Sequence, residues 1–305
     1  MDTRALLVGV DTYPGSRPAL AWAAAECQLR GAELVILHAI DEVDSDLIST
    51  FEQPSASAQA VAAQRVLDSH AGQARRIDPV LNIRLELSPR PAAEALIDAS
   101  ANFALTVVGT NTAQHVAQFM VGTVGHRVAA RARSPVAIVP ESDGVDRRHS
   151  AGTVVVGLAP TPAGRAALRL ALAEARLRGC AVKAIRAGST TGDSEHLRAL
   201  IARANSDVTL EVVLTDSDPA DVLLAEADKA SLAVLGGHHN SEPWSVRLGG
   251  VTTAVLRHVR CPVLLVGHGE QDDLSSRRRA SSDLSAPAQD PTRWPSTFAR
   301  SAGVS

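Results

Sequence analysis

The sequence predicts an α/β protein of two tandem domains, each a doubly wound parallel sheet of five strands. Its 305 residues are enough for two domains of ordinary size. The pattern of the N-terminal part returns in the C-terminal part, and in both copies short apolar runs alternate with stretches of helical periodicity. Apolar runs of this kind are typical of strands buried on both faces of a parallel sheet.

Glycines show how the two copies align. Gly31 recurs as Gly179, and Gly109 recurs as Gly236 at a smaller offset along the chain. The second copy has therefore lost 21 residues between these positions. The polar stretch 41–64 has no evident counterpart, and we expect the loss to fall there.

Local signals place the elements of the first copy, whose strands are apolar runs such as LLVGV and whose helices are rich in alanine. Ser16 can cap the first helix, Gly31 suits its C-terminal stop, and Pro91 fits the first turn of the third. The predicted elements are strand 5–10, helix 17–31, strand 33–39, helix 57–75, strand 82–88, helix 91–102, strand 104–109, helix 123–132 and strand 135–140.

Composition shifts set the predicted domain boundaries. The first domain covers residues 1–140 and the second covers 153–267, with a polar, charged linker over 141–152. Residues 268–305 are rich in Ser, Arg and Pro and have no periodicity, so we expect a disordered tail.

Composition also narrows the function classes. A formal net charge of −3 gives no overall basic character that would favour nucleic acid. No apolar run approaches the ~20 residues of a membrane helix. Cys27, Cys180 and Cys261 lie far apart without a CxxC pair, which favours a reducing, cytoplasmic location and argues against a thiolate metal site. We expect the adjacent His238 and His239 in a polar loop, not at a metal.

The ends of two strands are candidate ligand contacts, because open α/β sheets bind ligands outside the carboxyl ends of strands where the strand order reverses. Asp11 follows the first strand and can accept a hydrogen bond from a ribose hydroxyl or hold the turn. Gly109 ends the fourth strand, and Gly122 and Thr123 begin the fourth helix, whose N-terminus suits phosphate. A Thr N-cap with a packing glycine is the alternative. The P-loop and GxGxxG motifs are both absent.

Four stretches carry a resemblance to a known family: VGVD, LHAID, VVGT…VGTV and SPVAIV. With the internal repeat, they make both copies, and so most of the chain, similar to the universal stress protein family in its tandem form. The resemblance implies an adenine nucleotide alpha hydrolase-like fold in each copy. ATP-binding members carry the signature G-x2-G-x9-G-[S/T], which reads here Gly109-x2-Thr112-x9-Gly122-Thr123.

The resemblance also implies which residues hold ATP, with Mg²⁺ as its accompanying ion. Thr112 replaces a family glycine, and a β-branched residue at positive φ would cost roughly 1–2 kcal/mol. We therefore expect this loop to take another shape and to bind more weakly. The implied contacts are Asp11 to the nucleoside, the backbone of Ala39 to adenine, Thr112 in the phosphate loop, and Gly109, Gly122, Thr123 and Val124 to phosphate and ribose.

The second copy departs further from the signature. Each lost carboxylate or hydroxyl would cost about 1–3 kcal/mol of ligand pairing, so we expect no ATP there, or weak binding. The positions of Asp11, Thr112 and Thr123 are taken by Ala159, His239 and Gly250.

The fifth strands, Val136–Val139 and Val263–Val266, would be exposed hydrophobic edges, and such edges invite pairing. In the family this strand is where domains pair. The resemblance therefore implies an intramolecular pseudo-dimer, and it leaves open whether two chains form a homodimer.

The leading functional interpretation is a non-enzymatic, ATP-binding stress-response protein with nucleotide in the first domain, no or very slow hydrolysis, and an unidentified protein partner. His38 is interpreted as a strand-end residue and not as a general base. The alternative is a scaffold or interaction protein that has lost nucleotide binding. A nucleotidyl transferase or ATP pyrophosphatase would need an HxGH-like or SGGxDS-like motif near the first strand, and VGVDTYPGSR contains neither.

Overall fold

The computed structural model describes residues 5–40, 56–110, 123–141, 152–187, 207–237 and 248–267. The predicted tail and residues 142–151 of the predicted linker lie outside the described residues. The strands are β1 Leu6–Val10, β2 Leu34–Ala39, β3 Ile83–Ser88, β4 Leu105–Gly109, β5 Val136–Val139, β6 Val154–Gly157, β7 Val182–Ala187, β8 Leu210–Thr215, β9 Leu232–Gly236 and β10 Val263–Val266. The helices are α1 Ser16–Arg30, α2 Ala56–Ile77, α3 Ala92–Ser100, α4 Thr123–Arg131, α5 Pro162–Arg178, α6 Pro219–Ala227 and α7 Gly250–His258.

All ten strands form one sheet in the order β3-β2-β1-β4-β5-β10-β9-β6-β7-β8. Among the described strands, neighbours within each half, β1–β5 or β6–β10, run parallel, whereas β5 and β10 pair antiparallel, with Ala137 opposite Leu264. The predicted pairing of the fifth strands is confirmed. Each of these two hydrophobic strands covers the open edge of the other, so that neither edge is left exposed.

Helices cover both faces of the sheet, so the doubly wound architecture is confirmed. One core holds side chains of α1, α2 and α5, and the other holds side chains of α3, α4, α6 and α7. Strands such as β2 and β5 are buried along most or all of their length because both faces are covered. Within the described part of the chain, no helix combines the length and apolarity needed to cross a membrane.

The repeat appears directly in the positions of the strands. β2 and β7 begin at Leu34 and Val182, whereas β3 and β8 begin at Ile83 and Leu210, so the offset between the copies shrinks from one pair to the next. Residues 40–82 connect β2 to β3 and 188–209 connect β7 to β8, so the difference of 21 residues falls in this connection. The first connection carries α2, which overlaps the polar stretch singled out in the sequence.

The predicted C-terminal signal of α1 is confirmed, and the predicted N-terminal signal is not. Gly31 adopts a left-handed conformation with φ of 61° and ends the helix, as predicted. The prediction of Ser16 as N-cap is wrong, because the N-cap residue is Gly15 and no side chain caps the helix. The Ser16 hydroxyl instead bonds backwards to Asp11, and the amide of Ser16 donates to the Tyr13 carbonyl.

Gly72 in α2 offers a simple test of the described helix. A Cβ added there would meet no heavy atom within 4 Å, and glycine weakens a helix interior relative to alanine. We expect Gly72→Ala to raise the free energy of unfolding by about 0.5–1 kcal/mol, measured by urea unfolding. A loss of stability would show that this segment is not the open helix described.

Four charged side chains form a buried cluster between α1 and α5, here called the α1–α5 cluster. The Arg30 guanidinium donates to both carboxylate oxygens of Glu174 at 2.7 Å and, through Nε, to Glu26 at 3.0 Å. Arg178 pairs with the same two carboxylates. Each half supplies one Glu and one Arg at equivalent repeat positions, so the cluster joins the halves symmetrically.

Burial within the cluster is deep on the acidic side, where the Glu26 side chain is 0% exposed and that of Glu174 is 3% exposed. Burial by itself would lower the pKa of Arg30, but the carboxylates of Glu174 and Glu26 outweigh it, and that pKa is raised above its usual value. The cluster therefore consists of charges that depend on one another, because a buried carboxylate without its partner is costly.

Candidate functional site

A crevice with a cavity of about 180 Å³ opens at the carboxyl ends of β1, β2 and β4. The strand order reverses between β1 and β4, the place where doubly wound sheets bind ligands. Helices α1 and α4 begin on either side of it. Its lining residues are Gly9, Val10, Asp11, Tyr13, Gly15, Ser16, Leu37, His38, Ala39, Ala92, Leu96, Val108, Gly109, Thr110, Val124 and Gly125.

Four of the seven predicted site residues come together in this crevice: Asp11, Ala39, Gly109 and Val124. Thr123 begins α4, next to Val124. Thr112 and Gly122 lie outside the described residues, as do His238 and His239. The structure thus brings together four of the five described members of the predicted set, with Thr123 next to one of them, and their contacts with a ligand stay predictions.

Asp11 is held in a tight turn after β1. Its Oδ1 accepts the Tyr13 amide at 2.9 Å and also the Ser16 hydroxyl, while its own amide donates to Ser16 Oγ at 2.9 Å. Both of the turn-forming bonds to the carboxylate reach Oδ1, and within the described residues Oδ2 has no partner. Asp11 therefore holds the turn with one oxygen, and its other oxygen takes no bond from the described part of the chain.

The end of β2 adds a second polar group to the crevice. His38 Nδ1 lies 2.8 Å from the Val10 carbonyl oxygen. A carbonyl can only accept, so Nδ1 carries the proton and the Nε2 of a neutral ring is an acceptor. Ala39 follows as the last residue of β2, and its backbone is one of the predicted contacts.

The N-terminus of α4 lies at the crevice and has the features of an anion-binding element. Helix amides of the first turn have no intrahelical partner, and no group in the described part of the chain accepts from those of Val124 and Gly125. The N-terminus of α1 differs, because the amides of Ser16 and Arg17 already donate to turn carbonyls. Of the two helices, α4 is the one suited to phosphate.

Gly109 has a packing role that its sequence position did not reveal. A Cβ added to it would lie 2.2 Å from the Gly15 carbonyl oxygen, so the end of β4 touches the start of α1. Gly236, its counterpart, packs in the same way, with an added Cβ 2.8 Å from the Ala163 carbonyl carbon. Because both halves need glycine here, packing alone explains Gly109, and a ligand contact there is an additional prediction.

The corresponding edge of the second half has a different chemistry. Ala159 replaces Asp11, and Arg186 stands where the first half has His38. The Arg186 side chain is buried and lies 3.3 Å from the Leu158 carbonyl oxygen, as His38 lies against that of Val10. A carboxylate and an imidazole in the first half thus correspond to a methyl group and a guanidinium in the second.

Sequence reasoning missed several lining residues, among them Tyr13, Ser16 and Thr110. Thr110 is buried, and its hydroxyl accepts the Glu141 amide at 3.1 Å, which ties the end of β4 to the chain after β5. The repeat held a usable signal for Ser16, because its counterpart is Gly164, and the serine and the aspartate are therefore lost together.

The structure shows no candidate metal site in the part of the chain that it describes. Among those residues, no group of three or more His, Cys, Asp or Glu side chains is close enough to hold an ion. Asp11 is the single carboxylate among the lining residues described.

The fold and the crevice define a class: α/β proteins of two repeated halves with a crevice at the carboxyl edge of the sheet. The chain belongs to the universal stress protein family, whose sequence model matches residues 3–140 and 188–267. The two matches agree with the tandem form.

Several individual proteins are similar to this chain. A universal stress protein of Mycolicibacterium smegmatis is 27% identical over 287 residues, which cover 86% of this chain and 96% of that protein. The crystal structure of one from Archaeoglobus fulgidus has a TM-score of 0.72 at 18% identity, over 88% of this chain and 100% of that chain, and shows a shared fold. A second structure from that organism, a complex with dAMP, is 24% identical over 37% of this chain and 96% of that chain, with a TM-score of 0.29.

Proposed function

We propose that this chain is an adenine-nucleotide-binding regulatory protein of the universal stress protein family, with ATP in the crevice of its first half. The observation that carries the proposal is Asp11, whose Oδ1 holds the turn while Oδ2 has no partner among the described residues, in a crevice that Val124 and Gly125 of α4 also line. One end of the crevice is thus suited to a sugar hydroxyl and the other to phosphate. Cys27, Cys180 and Cys261 lie far apart in the sequence without a CxxC pair, which supports a cytoplasmic location.

The described residues fit each part of the nucleotide. Leu37 and Leu96 give the crevice apolar walls for a planar base, and the Ala39 backbone lies at the strand end where it can pair with adenine. Asp11 accepts a ribose hydroxyl. The amides of Val124 and Gly125 donate to phosphate, and the positive end of the α4 dipole adds to this attraction.

Hydrolysis is proposed to be absent or very slow. Mg²⁺ needs near-octahedral oxygen ligands, usually from one or two carboxylates plus phosphates and water. Asp11 is the one carboxylate among the described lining residues, and it is assigned to the sugar. Any Mg²⁺ would therefore arrive on the phosphates, and the described lining holds no second carboxylate to activate water.

Binding would bridge the starts of α1 and α4, one on each face of the sheet. A nucleotide that contacts Asp11, in the turn that leads into α1, and the first turn of α4 fixes the relative position of the two helices. Helix α1 also carries Glu26 and Arg30 of the α1–α5 cluster, so a constraint at its start acts on an element that joins the halves. A protein partner that reads this arrangement is part of the proposal.

Asp11→Asn tests the site. The new Oδ1 can still accept from Tyr13 and Ser16, but an NH₂ donor replaces the free Oδ2 acceptor. We expect a melting temperature close to that of the wild type and an affinity for ATP lower by about 10- to 100-fold, since a hydrogen bond to a charged group contributes about 1.5–3 kcal/mol. Titration calorimetry measures the affinity, and unchanged binding in the variant would refute this site.

A scaffold that needs no nucleotide is the second candidate. The specific observation that favours it is that Asp11 and Gly109 both have internal roles, one in a turn and one in packing. Absence of heat on titration with ATP, together with absence of nucleotide in the purified protein, would support the scaffold and overturn the leading proposal.

A further inference from the structure

We propose that Ser16 is a positioning residue, which turns the Asp11 carboxylate so that one oxygen is left for a ligand hydroxyl. This inference rests on the proposed nucleotide site and deepens it. It names the ligand class that the crevice selects, a nucleotide with a free sugar hydroxyl, and it assigns the selection to a residue that does not itself contact the ligand.

The geometry is a closed ring of hydrogen bonds. Ser16 Oγ accepts the Asp11 amide at 2.9 Å and donates its proton to Asp11 Oδ1. The Tyr13 amide reaches the same oxygen at 2.9 Å. Oδ1 therefore takes two donors, while Oδ2 takes none from the described part of the chain.

The two bonds to Oδ1 limit the rotation of the Asp11 carboxylate. The terminal torsion of an aspartate is broad, so a carboxylate without fixed partners turns freely and presents either oxygen. Ser16 is buried, and its hydroxyl is held by a backbone amide, so its own position is fixed. The pair therefore meets the ligand with a preorganised acceptor, which binds without the ordering cost of a rotating carboxylate.

The second half shows that the fold does not need this pair. Ala159 and Gly164 stand at the positions of Asp11 and Ser16, so both partners are absent. Helix α5 still forms there and begins at Pro162, two repeat positions earlier than α1. Its N-cap Thr161 accepts the Gly164 amide at 3.1 Å.

A hydroxyl in this loop has a different role in each half. In the second half, a hydroxyl caps the helix. In the first half, the hydroxyl turns away from the helix and holds a carboxylate at the edge of a crevice. The second half folds without the Asp11–Ser16 pair, and the first half has this pair at the edge of the crevice. Ligand binding therefore explains the pair, and folding does not.

The test is a double-mutant cycle in the full chain with two probes, AMP and 2′,3′-dideoxy-AMP, which lacks both sugar hydroxyls. We expect Ser16→Ala to weaken AMP about tenfold, the value of one lost hydrogen bond, and to leave the dideoxy probe unchanged. In the Asp11→Asn background, Ser16→Ala should have no further effect on AMP. Thr161→Ala is the matched control and should lower the melting temperature without changing either affinity.

Each outcome is decisive. If the wild type binds neither probe, the proposed site fails and the role of Ser16 falls with it. If the wild type binds AMP but Ser16→Ala leaves that affinity unchanged, the inference alone is overturned. Equal weakening of both probes would mean that Ser16 merely supports the loop, and this too would overturn the inference.

Discussion

Glu26→Ala is expected to lower the free energy of unfolding by about 3–5 kcal/mol, the range for removing one partner of a buried ion pair. The Glu26 side chain is 0% exposed and accepts from Arg30 and Arg178. Alanine would leave two guanidinium groups facing only Glu174. The loss of stability comes from leaving buried charges without their partner in a low-dielectric interior, and not from the loss of a single contact.

Urea unfolding followed by circular dichroism measures this loss. Asp207→Ala is the control, because Asp207 pairs with Arg176 at 2.8 Å, but the two side chains are 54% and 37% exposed. A surface pair of this kind contributes at most about 1 kcal/mol. Equal losses in the two variants would contradict the buried cluster as the contact that holds α1 against α5.

Gly109→Ala is expected to cost about 1–3 kcal/mol of stability, the usual penalty for overpacking, and also to weaken ATP binding. The added Cβ would lie 2.2 Å from the Gly15 carbonyl oxygen, which is backbone and cannot turn aside like a side chain. The start of α1 must therefore shift. Because Gly15 and Ser16 line the crevice, the shift also reaches the ligand.

Gly236→Ala is the matched control for this prediction. Gly236 makes the same kind of contact in the second half, against Ala163, far along the sheet from the crevice. We expect a comparable loss of stability from it, with ATP affinity unchanged. If Gly109→Ala unfolds no more easily than the wild type, or if Gly236→Ala weakens ATP equally, the link between packing and binding at Gly109 is wrong.

Much of the fold could be predicted because it depends on local patterns that the repeat doubles. The buried strands are apolar runs, Gly31 and Gly179 end equivalent helices, and the difference in length between the copies falls between equivalent strands. The pairing of β5 with β10 followed from two hydrophobic edges and from the family resemblance.

Tertiary relations could not be read in this way. Glu26 and Arg30 are four residues apart on α1, a spacing that is common in exposed helix pairs. Nothing local indicates that Glu174 and Arg178 bury them. The N-cap prediction for Ser16 is wrong for a similar reason. A hydroxyl at a helix start can bond forward to the helix or back to a carboxylate, and here the Asp11 carboxylate lies within reach.

The location of the candidate site in the fold could be predicted from the sequence, whereas the contacts between its residues could not all be predicted. Asp11, Ala39 and Val124 line the crevice, because the carboxyl ends of β1, β2 and β4 meet at one edge of the sheet. The packing role of Gly109 depends on a close approach between two backbones, which sequence spacing does not encode. The question of φ at Thr112 lies outside the described residues.

The most direct test of the nucleotide site is a crystal structure of the full chain grown with ATP at saturating concentration. We predict one nucleotide per chain, in the first half, with a ribose hydroxyl in hydrogen-bonding distance of Asp11 Oδ2 and phosphate at the amides of Val124 and Gly125. Nucleotide bound in the second half, nucleotide placed away from Asp11, or an empty crevice at saturating ATP would contradict it.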